Sequence, residues 1–106
     1  MTQVNVLFTA KVKAGKEEEF YKTAGEIMKS SHAEDDGCIT FTFHQHTEDK
    51  NQFFCYEQWR DQDAFNGHFK RLASVYGAPR EGEILPAKLA DYFEEMQAEI
   101  YNVVES

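Results

Sequence analysis

Basic residues are scarce. Lys and Arg total 11 against 19 Asp and Glu, a formal net charge of −8. Nucleic-acid binding leans on phosphate neutralisation by cations, and no Lys/Arg stripe offsets the deficit, so nucleic acid and anionic membrane surfaces are excluded as partners. Cysteine is sparse too. Cys38 and Cys55 are too few for a disulfide framework or a four-thiolate metal site, and two reduced, half-buried thiols are expected. No apolar run approaches the ~20 residues that span a membrane. Met1-Thr2-Gln3-Val4-Asn5 lacks the basic and apolar stretches of a signal peptide, so a soluble, cytoplasmic protein is expected. Gly-x-Gly-x-x-Gly, Walker, Gly-x-Ser-x-Gly and Cys-x-x-Cys patterns are all missing. No built-in flavin, nicotinamide or phosphate-cradling site is therefore read, and no cofactor is expected.

What is present is an aromatic-rich single domain, residues 1–106. Hydrophobic residues make up 42% of it, enough to form a core. Nine Phe, five Tyr and one Trp suit a core, a subunit interface or an aromatic pocket. Val4 to Val12 reads as a strand with Val4, Val6, Phe8, Ala10 and Val12 on one face and Asn5, Leu7, Thr9 and Lys11 on the other. After Ala14-Gly15, Lys16 to about His32 reads as a helix. Glu17, Glu18 and Glu19 sit in its first turn, and Phe20, Ala24, Ile27 and Ser31 mark its buried side. Asp35-Asp36-Gly37 is a turn.

Cys38 to His46 alternates as a strand, Ile39, Phe41 and Phe43 against Thr40, Thr42, His44 and His46. Gln52 to Trp59 pairs with it as a hairpin. A turn centred near Asp49-Lys50 makes opposed residue numbers sum to about 99, which leaves Cys38 and Cys55 too far out of register for a disulfide. Asp61 caps a second helix with Ala64, Phe65, His68, Leu72 and Val75 inward, ended by Gly77 and Pro79. Pro86 opens a third helix, Ala87 to Gln97, with Leu89, Tyr92/Phe93 and Met96 inward. Residues 99–104 read as a last strand. The order β-α-β-β-α-(α)-β is the α+β, ferredoxin-like arrangement, a four-stranded antiparallel sheet with helices on one face. The other face would leave an apolar patch larger than monomers usually carry, so a homodimer with the sheets face to face is expected.

Few residues suggest chemistry. His68 lies on an apolar helix stripe, either as a satisfied core histidine or as a general base beside an aromatic pocket. Asn5 is an unusual amide on a strand, either hydrogen-bonded near the strand end or facing a pocket. Trp59 shares strand parity with Glu57, Cys55 and Phe53, as packing or as a pocket wall. His44 and His46 form a His-x-His pair without an identifiable third ligand, so no metal site is assigned.

Asn5, then Asp36-Gly37-Cys38-Ile39-Thr40-Phe41, then Tyr56-Glu57-Gln58-Trp59-Arg60-Asp61-Gln62-Asp63-Ala64-Phe65 and His68 form a pattern. It resembles the antibiotic biosynthesis monooxygenase superfamily, which includes bacterial quinol monooxygenases. The Glu-x-Trp, Ala-Phe, His run is its most specific part. The resemblance implies a dimeric α+β barrel and a cofactor-independent monooxygenase that uses O₂ on a small quinol-like aromatic. It implies His68 as base and Asn5 as phenolate-holding group, with Trp59, Phe65 and Tyr76 binding substrate. The haem-degrading branch resembles the chain at Asn5, but His68 stands where its tryptophan aligns and Ala78 near its histidine, so that constellation is broken. Two alternatives are a non-catalytic dimer that binds an aromatic metabolite and an isomerase of phosphorylated sugars using Lys70, Arg71 and Arg80.

Overall fold

A computed structural model describes residues 2–105. Met1 and Ser106, the ends of the expected 1–106 domain, lie outside the described residues. The alternating first segment forms β1 (Val4–Val12), and the amphipathic segment after Gly15 forms α1 (Glu17–Glu34). Next come β2 (Cys38–Gln45), β3 (Gln52–Trp59) and α2 (Gln62–Tyr76), then a single turn, α3 (Ala87–Ala90), and β4 (Phe93–Tyr101). The sheet order is β2-β3-β1-β4 with every pair antiparallel. Among the described residues no helix is long and apolar enough to cross a membrane.

The helices cover the sheet face that carries Val4, Val6, Phe41, Cys55 and Trp59. Phe20 of α1 is 1% exposed and anchors one end of this layer. It meets Phe43, Phe53 and Phe93 edge-on at 5.0–5.6 Å. Each such pair is worth ~0.5–1.5 kcal/mol beyond the area it buries. Asp61 accepts the Ala64 N–H at 2.9 Å and caps α2, and Gly77 (φ 99°) ends it. Gly37 (φ 82°) lies so close to α2 that a Cβ there would fall 2.6 Å from the Ala64 Cβ. Its carbonyl accepts the Arg60 N–H at 2.8 Å. The α1–β2 turn is thereby clasped to the start of α2.

Four expectations need correction. The third helix stops at Ala90 and does not reach Gln97; Phe93–Tyr101 instead pairs with β1, Ala10 opposite Met96 and Val6 opposite Ile100. Ladder bonds along a whole strand outweigh the helix propensity of Glu, Met, Gln and Ala. The β2–β3 hairpin sets Phe43 opposite Cys55 and Gln45 opposite Phe53, one residue from the expected register. The expected slip would have thrown Phe43 against the outward Tyr56. Finally, a bulge between Cys38 and Thr40 turns Ile39 outward, 51% exposed, and Val75 of α2 is 60% exposed while Leu72 and Tyr76 carry the inward stripe. Cys38 and Cys55 are free thiols, and burial pushes both pKa values up.

Candidate active site

Between the helix-covered sheet face and α2 lies a cavity of about 520 Å³. Its walls are phenyl and alkyl groups, among them Phe41, Phe43, Phe65, Phe69 and Leu72, and its mouth is edged by Gly82–Leu85. Two buried polar groups line it, His68 from α2 and Glu57 from β3, and the exposed Glu83 and Gln97 line it as well. A largely apolar, aromatic-lined cavity with few convergent polar groups is the usual form of a small-molecule site.

His68 is 3% exposed, with its ring against Trp59, Phe41 and Phe69 at centroid distances of 4.7, 4.9 and 5.4 Å. Its Nδ1 lies 2.6 Å from Asp35 Oδ2. Asp35 is the C-cap of α1, where the helix dipole disfavours an acid, so it needs a cation. Arg71, one turn along α2 from His68, supplies it. Its Nε donates to Asp35 Oδ1 at 2.6 Å and its Nη2 to Oδ2 at 3.2 Å. Burial alone would raise the Asp35 carboxyl, but the bonds from Arg71 and His68 outweigh it and hold the carboxyl below its ordinary pKa. An ionised carboxylate only accepts, so His68 Nδ1 carries the proton and Nε2 keeps its lone pair. No hydrogen bond occupies Nε2 among the described residues, where every fully buried side-chain N or O has a partner. Nε2 is therefore open to the cavity His68 lines. Burial lowers the His68 pKa against the raising effect of Asp35, which favours the neutral ring.

Glu57 is 8% exposed, and its Oε1 accepts the Trp59 Nε1–H at 3.0 Å. Burial raises its pKa to about 7, against the lowering effect of that bond. The folded pKa stands above the unfolded one, so this carboxyl's favourable contribution is complete in acid and is lost as pH climbs through about 7. Glu57→Gln keeps the shape and the Trp59 bond but does not ionise. Its stability advantage over wild type should grow by about 3 kcal/mol between about pH 4 and about pH 8, read from urea unfolding at each pH. An unchanging difference would show that Glu57 titrates normally.

A sequence model of the antibiotic biosynthesis monooxygenases matches residues 3–99. The chain belongs to that family. Solved structures with the same fold include PA3566 from Pseudomonas aeruginosa, 19% identical, covering 99% of this chain and 97% of that one at a TM-score of 0.79. SO0527 from Shewanella oneidensis is 17% identical over 96% of this chain and 91% of that one, TM-score 0.77. Among curated proteins, the uncharacterized sll1783 of Synechocystis is 35% identical over 60 residues, 57% of this chain. The match spans only 40% of that relative's length.

Within this family member the expected site residues are dispersed. His68 and Phe65 face the cavity. Trp59 is fully buried in the core beneath it, its indole N–H taken by Glu57. Tyr76 is half-buried at the end of α2, packed against the same core, with its phenol pKa raised by burial. Asn5 lies on the opposite sheet face, as strand alternation requires, opposite Gln58. Its Nδ2 donates to the Tyr101 carbonyl at 3.1 Å, and its Oδ1 accepts from Gln3 Nε2 at 2.7 Å. The structure does not bring Asn5 and His68 together. His44 stacks on Phe54 at 4.3 Å, and His46 Nδ1 accepts the Glu48 and Asp49 N–H groups in the hairpin turn. Among the described residues no three His, Cys, Asp or Glu side chains cluster as a metal site would need. Asp35 and Glu57 went unrecognised as site residues in the sequence, and Arg71 was read only as a phosphate-binding cation of an isomerase. The available signals were an acid at a helix C-terminus and an acid in phase with Cys55 and Trp59.

Proposed function

We propose that this protein is a cofactor-independent monooxygenase that oxidises a small quinol-like or polyphenolic aromatic with O₂. One observation carries the proposal: a neutral imidazole, backed by an Asp35–Arg71 pair, presents a free Nε2 to an apolar cavity. His68 Nε2 removes a phenolic proton, and Asp35 stabilises the imidazolium that results. The electron-rich phenolate passes one electron to O₂, giving a substrate radical and superoxide. These combine into a C–O–O bond at a ring carbon that bears hydrogen. His68 returns a proton, the O–O bond breaks, and loss of water leaves a new carbonyl on the ring. Phe65 and its neighbours keep bulk water from the radicals. Trp59 holds His68 in place from below.

Cations that an isomerase of phosphorylated sugars would need are spent elsewhere. Arg71 is bound to Asp35 and Arg80 to Asp91 at 2.6 Å, and Lys70 does not line the cavity. A homodimer is part of the proposal. Its support is the uncovered sheet face, where Phe54 and Tyr56 are 40% and 38% exposed, and the apolar Met96, Ile100 and Tyr101 along β4. Light scattering at micromolar concentration should give twice the 12.3 kDa chain mass; a monomer would remove this element.

The test is O₂ uptake by chelator-treated protein with a panel of hydroquinones and naphthols. Catalysed uptake above the autoxidation blank supports the monooxygenase. Saturable binding of the same compounds without uptake would replace it by a binding module.

A further inference from the structure

Glu57 stands in the middle of the cavity floor, with Val6 beside it on β1 and Phe41 beside it on β2. An acid in such a wall is costly unless something bonds it. Trp59 Nε1 satisfies Oε1. No hydrogen bond reaches Oε2 among the described residues, yet no fully buried side-chain oxygen there is without a partner, so Oε2 keeps access to the cavity. Among the described residues no cation pairs with it, and Arg71 is bound to Asp35, the carboxylate that His68 Nδ1 meets. The buried part of the cavity thus holds two unspent polar positions, an acceptor at Glu57 Oε2 and a base at His68 Nε2, while the other polar lining side chains, Glu83 and Gln97, are exposed. Trp59 ties them together, bonding one and packing on the other.

We propose that Glu57 Oε2 is the second anchor of the substrate, accepting a hydrogen bond from a hydroxyl other than the one His68 deprotonates. The ligand class is then a planar aromatic diol. A ring with one hydroxyl leaves the carboxyl dehydrated and unpaired, and a methyl ether in place of the second hydroxyl has no proton to give. This deepens the monooxygenase proposal and rests on the cavity being its substrate site.

Anaerobic calorimetric titration tests it, with 1- and 2-naphthol, a set of dihydroxynaphthalenes and their monomethyl ethers. Measurements at about pH 8 keep Glu57 largely ionised. The other titratable groups around it are His68 from α2, Cys38 from β2, Cys55 on its own strand and Glu83 at the mouth. At least one diol should bind wild type about tenfold tighter than either naphthol and than its own monomethyl ether, the factor that leaving a buried acceptor unpaired corresponds to. Glu57→Leu should remove the diol's advantage while the naphthols still bind. Glu57→Gln keeps the volume and the Trp59 bond and guards against misfolding. Its amide N–H donates to either oxygen, so it should no longer distinguish diol from ether. If diols bind no better than naphthols, or the preference survives in both variants, the role of Glu57 is overturned and the cavity remains a substrate site. If neither the naphthols nor the diols bind wild type, both proposals fall together.

Discussion

His68→Ala should lower kcat by about two to four orders of magnitude, the range that a positioned general base supplies. The substitution deletes the one imidazole that lines the cavity among the described residues and strands no charge, because Asp35 keeps its two bonds from Arg71. The fold should therefore survive, with a near-ultraviolet dichroism spectrum like that of wild type. Asp35→Asn should also be impaired, since an amide at that place no longer dictates which ring nitrogen carries the proton. The sign of the pH dependence follows from the same geometry. The base is active only when neutral, so kcat/KM rises with pH through the His68 pKa. Burial sets that pKa below the ordinary imidazole value, against the pull of Asp35. The acid limb of the wild-type profile should lie below about pH 6.5. It should move lower still in Asp35→Asn, where the raising partner is gone. An alanine variant retaining more than about a tenth of wild-type kcat would take the base role from His68.

Trp59→Ala should have the largest effect on stability, about 3–5 kcal/mol in urea unfolding. The indole is fully buried at the end of β3, with Phe41, Phe65 and His68 around it. Alanine leaves a void that three rings cannot close, and it removes the indole N–H bond to the Glu57 carboxyl. Domains of this size have only about 5–15 kcal/mol in total. Trp59→Phe should cost less, because a ring remains and only part of the volume and the indole N–H are lost. A Trp59→Ala cost under about 1.5 kcal/mol would show that the surrounding rings collapse into the gap.

The sheet and both long helices were legible because their signals are local and periodic. Phe20, Ala24, Ile27 and Ser31 keep helical spacing, and all are buried. The start of β4 was not legible. Residues 93–98 favour a helix by composition, and only pairing with β1, more than eighty residues earlier in the chain at Ala10–Met96, overrides that preference. The turn out of α1 misled for a related reason. Asp35 looks like its neighbour Asp36, yet one is turned inward to His68 and Arg71 while the other meets Arg60 at the surface. His68 could be singled out from its helix stripe alone. Its partner lies 33 residues away in sequence, joined to it only by folding. Asn5 shows the converse: an odd residue for a strand is accounted for by the Tyr101 carbonyl and two glutamine amides.

The packing of the indole on the imidazole has an optical consequence. Trp59 is the single tryptophan of the chain, so the indole emission comes from one ring, 4.7 Å from the base. A protonated imidazole quenches indole emission and a neutral one does so far less. The indole thus reports charge at its two polar neighbours, His68 packed on its face and Glu57 bonded to its N–H, and Glu57→Gln leaves His68 as the titrating one, legible without label, substrate or turnover.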